Sequence, residues 1–174
     1  WYQEGGIMDT GGHIREKEKR TFSVVDRIVE EVKSRTQVAG KVILFGHSAG
    51  GQFVHRWALL GGKKNVDVIA VANSGWFTMP DRDIDYPYGI KNVGITDEEL
   101  GEAFAKPVIL FMGEKDVGRN PPFRDTPEAD AQGMNRMERC TNYFRQCKAK
   151  AEELRVPFRW KLETVEGAAH QGVK

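Results

Sequence analysis

The sequence predicts an α/β fold, with a mainly parallel sheet and helices on both faces. Short apolar runs alternate along the chain with segments whose apolar residues repeat at helical spacing. The runs are almost continuously hydrophobic, as is typical of buried parallel strands. One run turns directly into a helical segment through Gly46-His47-Ser48-Ala49-Gly50. We treat residues 1–174 as a single domain, because 174 residues with 40% hydrophobic content can bury one substantial core.

The predicted elements are four strands and four helices. The strands are expected at 41–45, 66–71, 107–112 and 158–165. The helices are expected at 21–35, 52–60, 96–105 and 128–154, the first of them packing on the sheet beside strand 41–45. Thr96 and Glu99 form a capping box at the start of the third helix. Strand 158–165 alternates apolar and polar residues, which suits an edge strand.

Composition excludes several classes of partner. Lys plus Arg number 26 against 25 Asp plus Glu, so no strong field attracts nucleic acid or an anionic membrane surface. No apolar run approaches the roughly 18 residues of a membrane span. A small-molecule ester fits this charge balance better. The chain begins Trp1-Tyr2-Gln3 without a methionine, and we expect it to be a fragment of a longer enzyme.

The two cysteines are expected to be free thiols. Cys140 and Cys147 fall seven residues apart in one predicted helix. Their Cα atoms would then be roughly 10 Å apart, beyond the ~7 Å limit for a disulfide. Free cysteines favour a reducing compartment such as the cytoplasm. Neither cysteine has metal-ligand spacing with a histidine, so no metal or other cofactor is predicted.

The stretch around Ser48 has the pattern of an activated nucleophile. A strand that turns straight into a helix through a serine strains the backbone there, which favours glycines at Gly46 and Gly50. The turn lifts the Ser48 hydroxyl out of the sheet and presents the N–H of Ala49 where an oxyanion would form. The alternative is a serine that merely caps the helix.

This stretch resembles the nucleophile elbow of the α/β-hydrolase family. In that family a catalytic acid usually follows the strand two after the elbow strand, and Asp116 matches this position. Its expected role is to accept a hydrogen bond from the catalytic histidine. Glu114 is a nearby competitor, and the alternative for Asp116 is a turn aspartate that caps its loop.

The resemblance also implies a general base. His170 lies in a small-residue loop after the last predicted strand, which completes the chain order serine, acid, histidine. A lone histidine is more often structural. The other histidines, His13, His47 and His55, are less well placed for this role.

A substrate pocket is expected near the elbow. Trp76 and Phe77 follow strand 66–71 at the carboxyl edge of the sheet, where open parallel sheets bind ligands, although plain core packing is equally open. His47, inside the elbow, is a third candidate. Residues 76–105 are a candidate cap or lid. Their alternating aspartates, Asp81, Asp83 and Asp85, lack the glycine and glutamate of a calcium loop and are interpreted as a solvated loop.

The resemblance implies a serine hydrolase that cleaves a carboxylic ester through an acyl-enzyme. The alternatives are a non-catalytic binding module on the same fold, or an acyltransferase or peptidase. ANSGWF and QGMNRMERC are also similar to an uncharacterised bacterial group of esterase-like hydrolases. Only the later half of the family fold is covered, so its first strands and its second oxyanion donor are expected to be missing. Strand 41–45 would then be an exposed edge open to self-association.

Overall fold

The computed structural model describes residues 2–36, 40–62 and 66–170 and contains one parallel four-stranded sheet. The strand order is β1-β2-β3-β4, and every neighbouring pair is parallel. The strands are β1 (Ile43–His47), β2 (Val68–Ala72), β3 (Val108–Gly113) and β4 (Lys161–Val165). The predicted α/β class is confirmed, and β4 lies at an edge as expected.

Helices connect these strands. They are α1 (Phe22–Thr36), α2 (Ala49–Leu60), α3 (Asp97–Phe104), α4 (Pro127–Asp130) and α5 (Arg136–Glu153), with 3₁₀ turns at Tyr2–Glu4 and Lys17–Lys19. The prediction of one continuous helix over 128–154 is wrong, because the chain breaks between α4 and α5. Gly133 at the break has φ of +145°, a backbone conformation that favours glycine.

Side-chain caps fix the starts of α3 and α5. The predicted capping box is confirmed: the Glu99 N–H donates to Thr96 Oγ1, and the Thr96 N–H donates to the Glu99 carboxylate. At α5, the Asn135 side chain accepts a hydrogen bond from the Glu138 N–H at 2.9 Å. This second cap makes Arg136 the first residue of α5.

One face of the sheet, which we call the inner face, carries the core. It is formed by alternate strand residues that pair across the sheet, and Ile69, Leu110 and Met112 on it are at most 1% exposed. Helices α2 and α5 contact the strands here, and α3 packs against both of these helices. The core cluster also includes Trp57 and Tyr143, each with no exposed surface.

The opposite face, which we call the outer face, is open along β1. Ile43 and Phe45 are 61% and 62% exposed, although both are large apolar residues. Across the sheet this face continues through Val68, Ile109 and Phe111, which are half-buried. Within the described residues the second helical layer that we expected is therefore not seen over β1.

Helix α1 packs on α2. The Trp57 indole N–H donates to Asp26 Oδ1 at 3.1 Å, and the rings of Phe22 and Phe53 meet edge to face with centroids 5.5 Å apart. These contacts attach α1 to the helical layer of the inner face. Within the described ranges, no helix is both long and apolar enough to cross a membrane.

Candidate active site

Ser48 occupies the junction between β1 and α2 in a strained backbone conformation. Its φ and ψ are 54° and −114°, outside the regions that residues with a side chain normally adopt. The Ser48 N–H donates to the Ala72 carbonyl at 2.9 Å, which ties the junction to the end of β2. The serine side chain makes no capping bond to α2. The alternative of a simple helix cap is therefore not supported.

The close approach of β1 to α2 depends on two glycines. A Cβ added at Gly46 would lie 2.3 Å from the carbonyl oxygen of Gly50, and one added at Gly51 would lie 2.6 Å from Ser74 Oγ. A Cβ at Gly50 would meet nothing within 4 Å. The steric requirement therefore falls on Gly46 and Gly51, and the prediction that it falls on Gly50 was wrong.

The structure brings Ser48, His170 and Asp116 together in one hydrogen-bonded chain. His170 Nε2 lies 3.0 Å from Ser48 Oγ, and His170 Nδ1 lies 2.7 Å from Asp116 Oδ2. Ser48 follows β1, Asp116 follows β3 and His170 follows β4, so all three stand at the carboxyl edge of the sheet. The Asp116 side chain is 2% exposed and that of His170 is 23% exposed.

The competing acid, Glu114, is directed elsewhere. Its Oε2 accepts the N–H of Gly167 at 2.8 Å and thereby braces the turn that leads to His170. Asp116 is the carboxylate in contact with the imidazole. The Asp116 side chain is therefore buried and bonded to a histidine, which a turn aspartate that only caps its loop would not require.

A further residue at this site, Arg136, was missed by the sequence analysis. Its Nη1 donates to Asp116 Oδ1 at 3.1 Å, and the two side chains are 4% and 2% exposed. The carboxylate is thus bonded to a guanidinium through one oxygen and to an imidazole through the other. The only sequence signal at this residue is its position directly after the Asn135 cap. A positive charge is unfavourable at the start of a helix, so an arginine at this position is unusual.

The loop that carries His170 is held at its backbone. His47 Nε2 lies 2.7 Å from the His170 carbonyl oxygen, and the ring centroids of the two histidines are 5.1 Å apart. Because a carbonyl only accepts, His47 carries its proton on Nε2 in this contact. His47 was predicted as a pocket residue, and the structure gives it this supporting contact. Its pocket role stays a prediction.

Asn73 joins β2, β3 and the histidine loop. Its Oδ1 accepts the N–H of Gly113 at 2.8 Å, and its Nδ2 lies 3.4 Å and 3.5 Å from the carbonyl oxygens of Ala169 and His170. Asn73 has φ of 47°, a left-handed conformation that asparagine tolerates better than most residues. The sequence marked this residue only as the start of the stretch after strand 66–71.

Ala49 is the first residue of α2 and flanks the Ser48 hydroxyl. The first N–H groups of a helix have no partner within the helix, so they are available to an anion. The Ala49 N–H is positioned by the same elbow that raises Ser48. Its role as an oxyanion donor stays a prediction.

The two aromatic pocket candidates are both buried. Phe77 has no exposed surface and stacks on Tyr143 with centroids 4.5 Å apart, inside the core. Trp76 is 2% exposed and lies between two guanidiniums, with Arg56 at 4.1 Å and Arg124 at 4.5 Å from its ring. The pocket role of either residue stays a prediction.

The candidate lid, residues 76–105, contributes to the core rather than standing apart from it. Ile90, Val93 and Leu100 within it are at most 1% exposed and belong to the central cluster. The acidic residues at 81, 83 and 85 lie on its exposed side. Any lid movement would therefore involve only the exposed part of this segment, and the lid itself stays a prediction.

A cavity of about 330 Å³ borders the triad on the side of the acid. Its lining includes His170, Asp116 and Arg136, together with Lys115, Asn120 and the pair of prolines at 121–122. In the described part of the chain, no group of three or more His, Cys, Asp or Glu could hold a metal ion. Cys140 and Cys147 are free and buried, as expected.

Comparison with known proteins identifies similar solved structures. No family model and no curated protein matches the chain. Poly(aspartic acid) hydrolase-1 from Sphingomonas sp. KT-1 is 34% identical, with a TM-score of 0.89 over 97% of this chain and 64% of that one. The poly(3-hydroxybutyrate) depolymerase LpqC from Bordetella parapertussis is 31% identical, with a TM-score of 0.90 over 97% of this chain and 59% of that one.

A more distant structure shares the fold alone. An IroE-like serine hydrolase from Shewanella oneidensis is 15% identical, with a TM-score of 0.51 over 98% of this chain and 50% of that one. The chain spans less than two thirds of the length of each of these three structures. Its parallel sheet, its elbow and these similarities show that the chain has the α/β-hydrolase fold.

Proposed function

We propose that this chain carries the nucleophile, base and acid of a serine hydrolase that cleaves a carboxylic ester through an acyl-enzyme. The observation that carries the proposal is the continuous chain from Ser48 Oγ to His170 to Asp116, at 3.0 Å and 2.7 Å. Both distances lie within hydrogen-bond reach, which is the geometric requirement for general base catalysis. The names of two similar structures, a hydrolase and a depolymerase, agree with this chemistry.

In the proposed first half-reaction, the proton moves along the hydrogen bonds between the three residues. Since the Asp116 carboxylate accepts from Nδ1–H of His170, Nε2 carries the lone pair and faces Ser48 Oγ. As Oγ attacks the acyl carbon, its proton passes to Nε2, and Asp116 stabilises the resulting imidazolium. His170 then gives that proton to the leaving alkoxide, which leaves the acyl group on Ser48.

The second half-reaction uses the same groups on water. His170 Nε2 takes a proton from water as the water oxygen attacks the acyl carbon, and it returns that proton to Ser48 Oγ as the acid product leaves. The N–H of Ala49 stabilises the oxyanion in both steps. Losing one such donor typically costs about 100-fold to 1,000-fold in rate.

Amide hydrolysis is a second candidate. One similar structure is a poly(aspartic acid) hydrolase, and the backbone of that polymer is joined by amide bonds. The other is a poly(3-hydroxybutyrate) depolymerase, whose named polymer is joined by ester bonds. A p-nitrophenyl ester and a p-nitroanilide with the same acyl group distinguish the two. We expect faster release from the ester.

The decisive test is covalent labelling with a fluorophosphonate, read by mass spectrometry. The wild-type protein should carry one adduct, on Ser48, because only an activated serine attacks phosphorus at a useful rate. Ser48→Ala should carry none, and His170→Ala should react more slowly by on the order of 10⁶-fold, the loss typical when a catalytic histidine is removed. Ser23, a partly buried serine that donates to the Arg20 carbonyl, serves as an internal control and should remain unmodified.

Two outcomes would count against the proposal. An adduct that persists in His170→Ala at the wild-type rate would show that the imidazole does not activate Ser48. No adduct in wild-type protein that is folded by circular dichroism would favour the non-catalytic binding module instead.

A further inference from the structure

The carboxylate of Asp116 is bonded on both of its oxygens. Oδ2 accepts from His170 Nδ1 at 2.7 Å, and Oδ1 accepts from Arg136 Nη1 at 3.1 Å. The side chains of Asp116 and Arg136 are only 2% and 4% exposed. A carboxylate buried to this extent stays ionised only where a cation and hydrogen bonds replace water.

Arg136 also bonds to the loop that follows Asp116. Nη1 lies 3.3 Å from the carbonyl oxygen of Gly118, and Nη2 lies 3.0 Å from that of Pro122. The planar guanidinium therefore fixes residues 116–122 against the first turn of α5. Both the charge and the direction of the Asp116 carboxylate depend on one side chain from a different element.

We propose that Arg136 is a positioning residue of the hydrolytic site, which pairs with the buried Asp116 carboxylate and holds it aimed at His170 Nδ1. The inference rests on the proposed function. Arg136 is the cation bonded to Oδ1 of the Asp116 carboxylate, at 3.1 Å, and this contact leaves Oδ2 for the imidazole of His170. An ionised Asp116 accepts from Nδ1–H and thus keeps the lone pair of His170 on Nε2, opposite Ser48.

A matched set of variants tests this role. Arg136→Met removes the charge and keeps most of the apolar stem, whereas Arg136→Lys restores a charge without the guanidinium fork. Arg139→Met is the control, because Arg139 is on the same helix, is fully buried and also lies over the Phe123 ring. Arg139 pairs with Asp130 at 2.7 Å, not with Asp116, so its loss should cost stability without disturbing the triad.

The measurement is the rate of fluorophosphonate labelling at Ser48 as a function of reagent concentration. We expect Arg136→Met to lower the limiting rate about tenfold to 100-fold, since small misplacements in active sites have effects of this size. The concentration that gives half of the limiting rate should stay unchanged, because Arg136 acts through Asp116 and not on the reagent. Arg136→Lys should recover most of the rate, and Arg139→Met should label within about twofold of wild type.

A second readout does not depend on reaction. The proton shared by His170 Nδ1 and Asp116 should give a downfield ¹H resonance in the wild type, in Arg136→Lys and in Arg139→Met. That resonance should be weakened or absent in Arg136→Met. This readout keeps the inference testable in a variant that labels too slowly to be measured.

Specific results would overturn the inference. Arg136→Met labelling at the wild-type rate would do so, as would equal slowing in Arg136→Met and Arg139→Met. A lysine variant no faster than the methionine variant would also do so, because the effect would then come from packing. By contrast, failure of the wild-type protein to label would contradict the proposed function itself. The wild-type measurement therefore tests the proposed function, and the ratios between variants and wild type test the role of Arg136.

Discussion

The inner and outer faces of the sheet are built from alternate residues of the same strands, yet they have opposite surroundings. In β3, Leu110 on the inner face is fully buried, whereas its neighbours Ile109 and Phe111 on the outer face are partly exposed. In β1, Phe45 on the outer face is 62% exposed, although it lies directly before Gly46, where β1 meets α2. Apolar character alone therefore does not decide which strand residues are buried here.

This difference shows which part of the fold assembles the candidate site. Ser48 is positioned by the contact of β1 with α2, Asp116 by Arg136 of α5, and His170 by Asn73 and the turn after β4. All of these contacts lie on the inner face or at the carboxyl edge. Among the described residues, the contacts that position these three side chains do not involve the part of the outer face over β1.

The largest contrast between the faces is expected in stability. Leu110→Ala should lower the free energy of unfolding by about 3 kcal/mol, because it leaves a cavity in a close-packed core. Ile43→Ala, a similar truncation on the outer face, removes a side chain that is already 61% exposed and should change it by less than about 0.5 kcal/mol. Urea unfolding followed by circular dichroism measures both. Equal losses would show that the outer face is covered in solution.

The next contrast is in the response to acid, and it comes from His55 on α2. This side chain has no exposed surface; its Nε2 accepts the Thr78 N–H at 3.1 Å, so Nδ1 carries the proton and donates to the Gly51 carbonyl. Burial, with a smaller contribution from the charge of Arg56, lowers the pKa of His55 well below its ordinary value. The folded protein therefore holds this imidazole neutral.

The sign of the pH effect follows from that lowered pKa. Below about pH 6.5 the unfolded chain binds a proton at His55 that the folded protein does not, so stability falls by up to about 1.4 kcal/mol per pH unit. His55→Gln keeps an amide donor and acceptor but does not titrate. We expect this variant to be less stable at pH 7 and to show a shallower loss on acidification. An unchanged slope in His55→Gln would assign the acid response to other groups.

A smaller contrast is expected in association. The sequence predicted self-association through an exposed edge at β1. We propose that the apolar part of the outer face binds a second copy of the chain. Phe45→Lys should then reduce concentration-dependent self-association in sedimentation velocity, with little change in stability. Glu163→Lys, on the charged β4 side of the same face, is the control and should have no effect. Equal behaviour of wild type and Phe45→Lys would locate any association elsewhere.

Much of this architecture could be predicted because local signals agree with the tertiary structure. The three strands before the last one, the helix after Ser48 and the capping box at Thr96 each have a pattern that packing reinforces. The common location of Ser48, Asp116 and His170 could also be predicted, since each lies within a few residues of the end of a strand and parallel strands end at a common edge. The family resemblance then selected these three residues.

The remaining features depend on contacts between distant residues. Arg136 lies 20 positions from Asp116, and nothing in a single sequence distinguishes it from the many solvated arginines. Gly51 rather than Gly50 is the constrained glycine, because the constraint comes from Ser74, which only the folded chain brings close. Trp76 and Phe77 follow a strand as expected. Their burial, however, comes from contacts with residues that are distant in the sequence, such as the stacking of Phe77 on Tyr143.

The smallest expected effect concerns the reaction rate of the two thiols, which should be very low in the native protein. This rate tests how well the inner face excludes water. Cys140 and Cys147 are at most 1% exposed, and burial raises the pKa of both thiols. Because the thiolate is the reactive form, we expect native protein to react with Ellman's reagent at well under one thiol per chain, and both thiols to react after unfolding in urea. Leu110→Ala should accelerate the native reaction by loosening the core around α5, whereas Ile43→Ala should not. Rapid reaction of wild-type thiols would mean that the helical layer opens readily. The inner face would then be buried in the average structure but would still be reached by solvent.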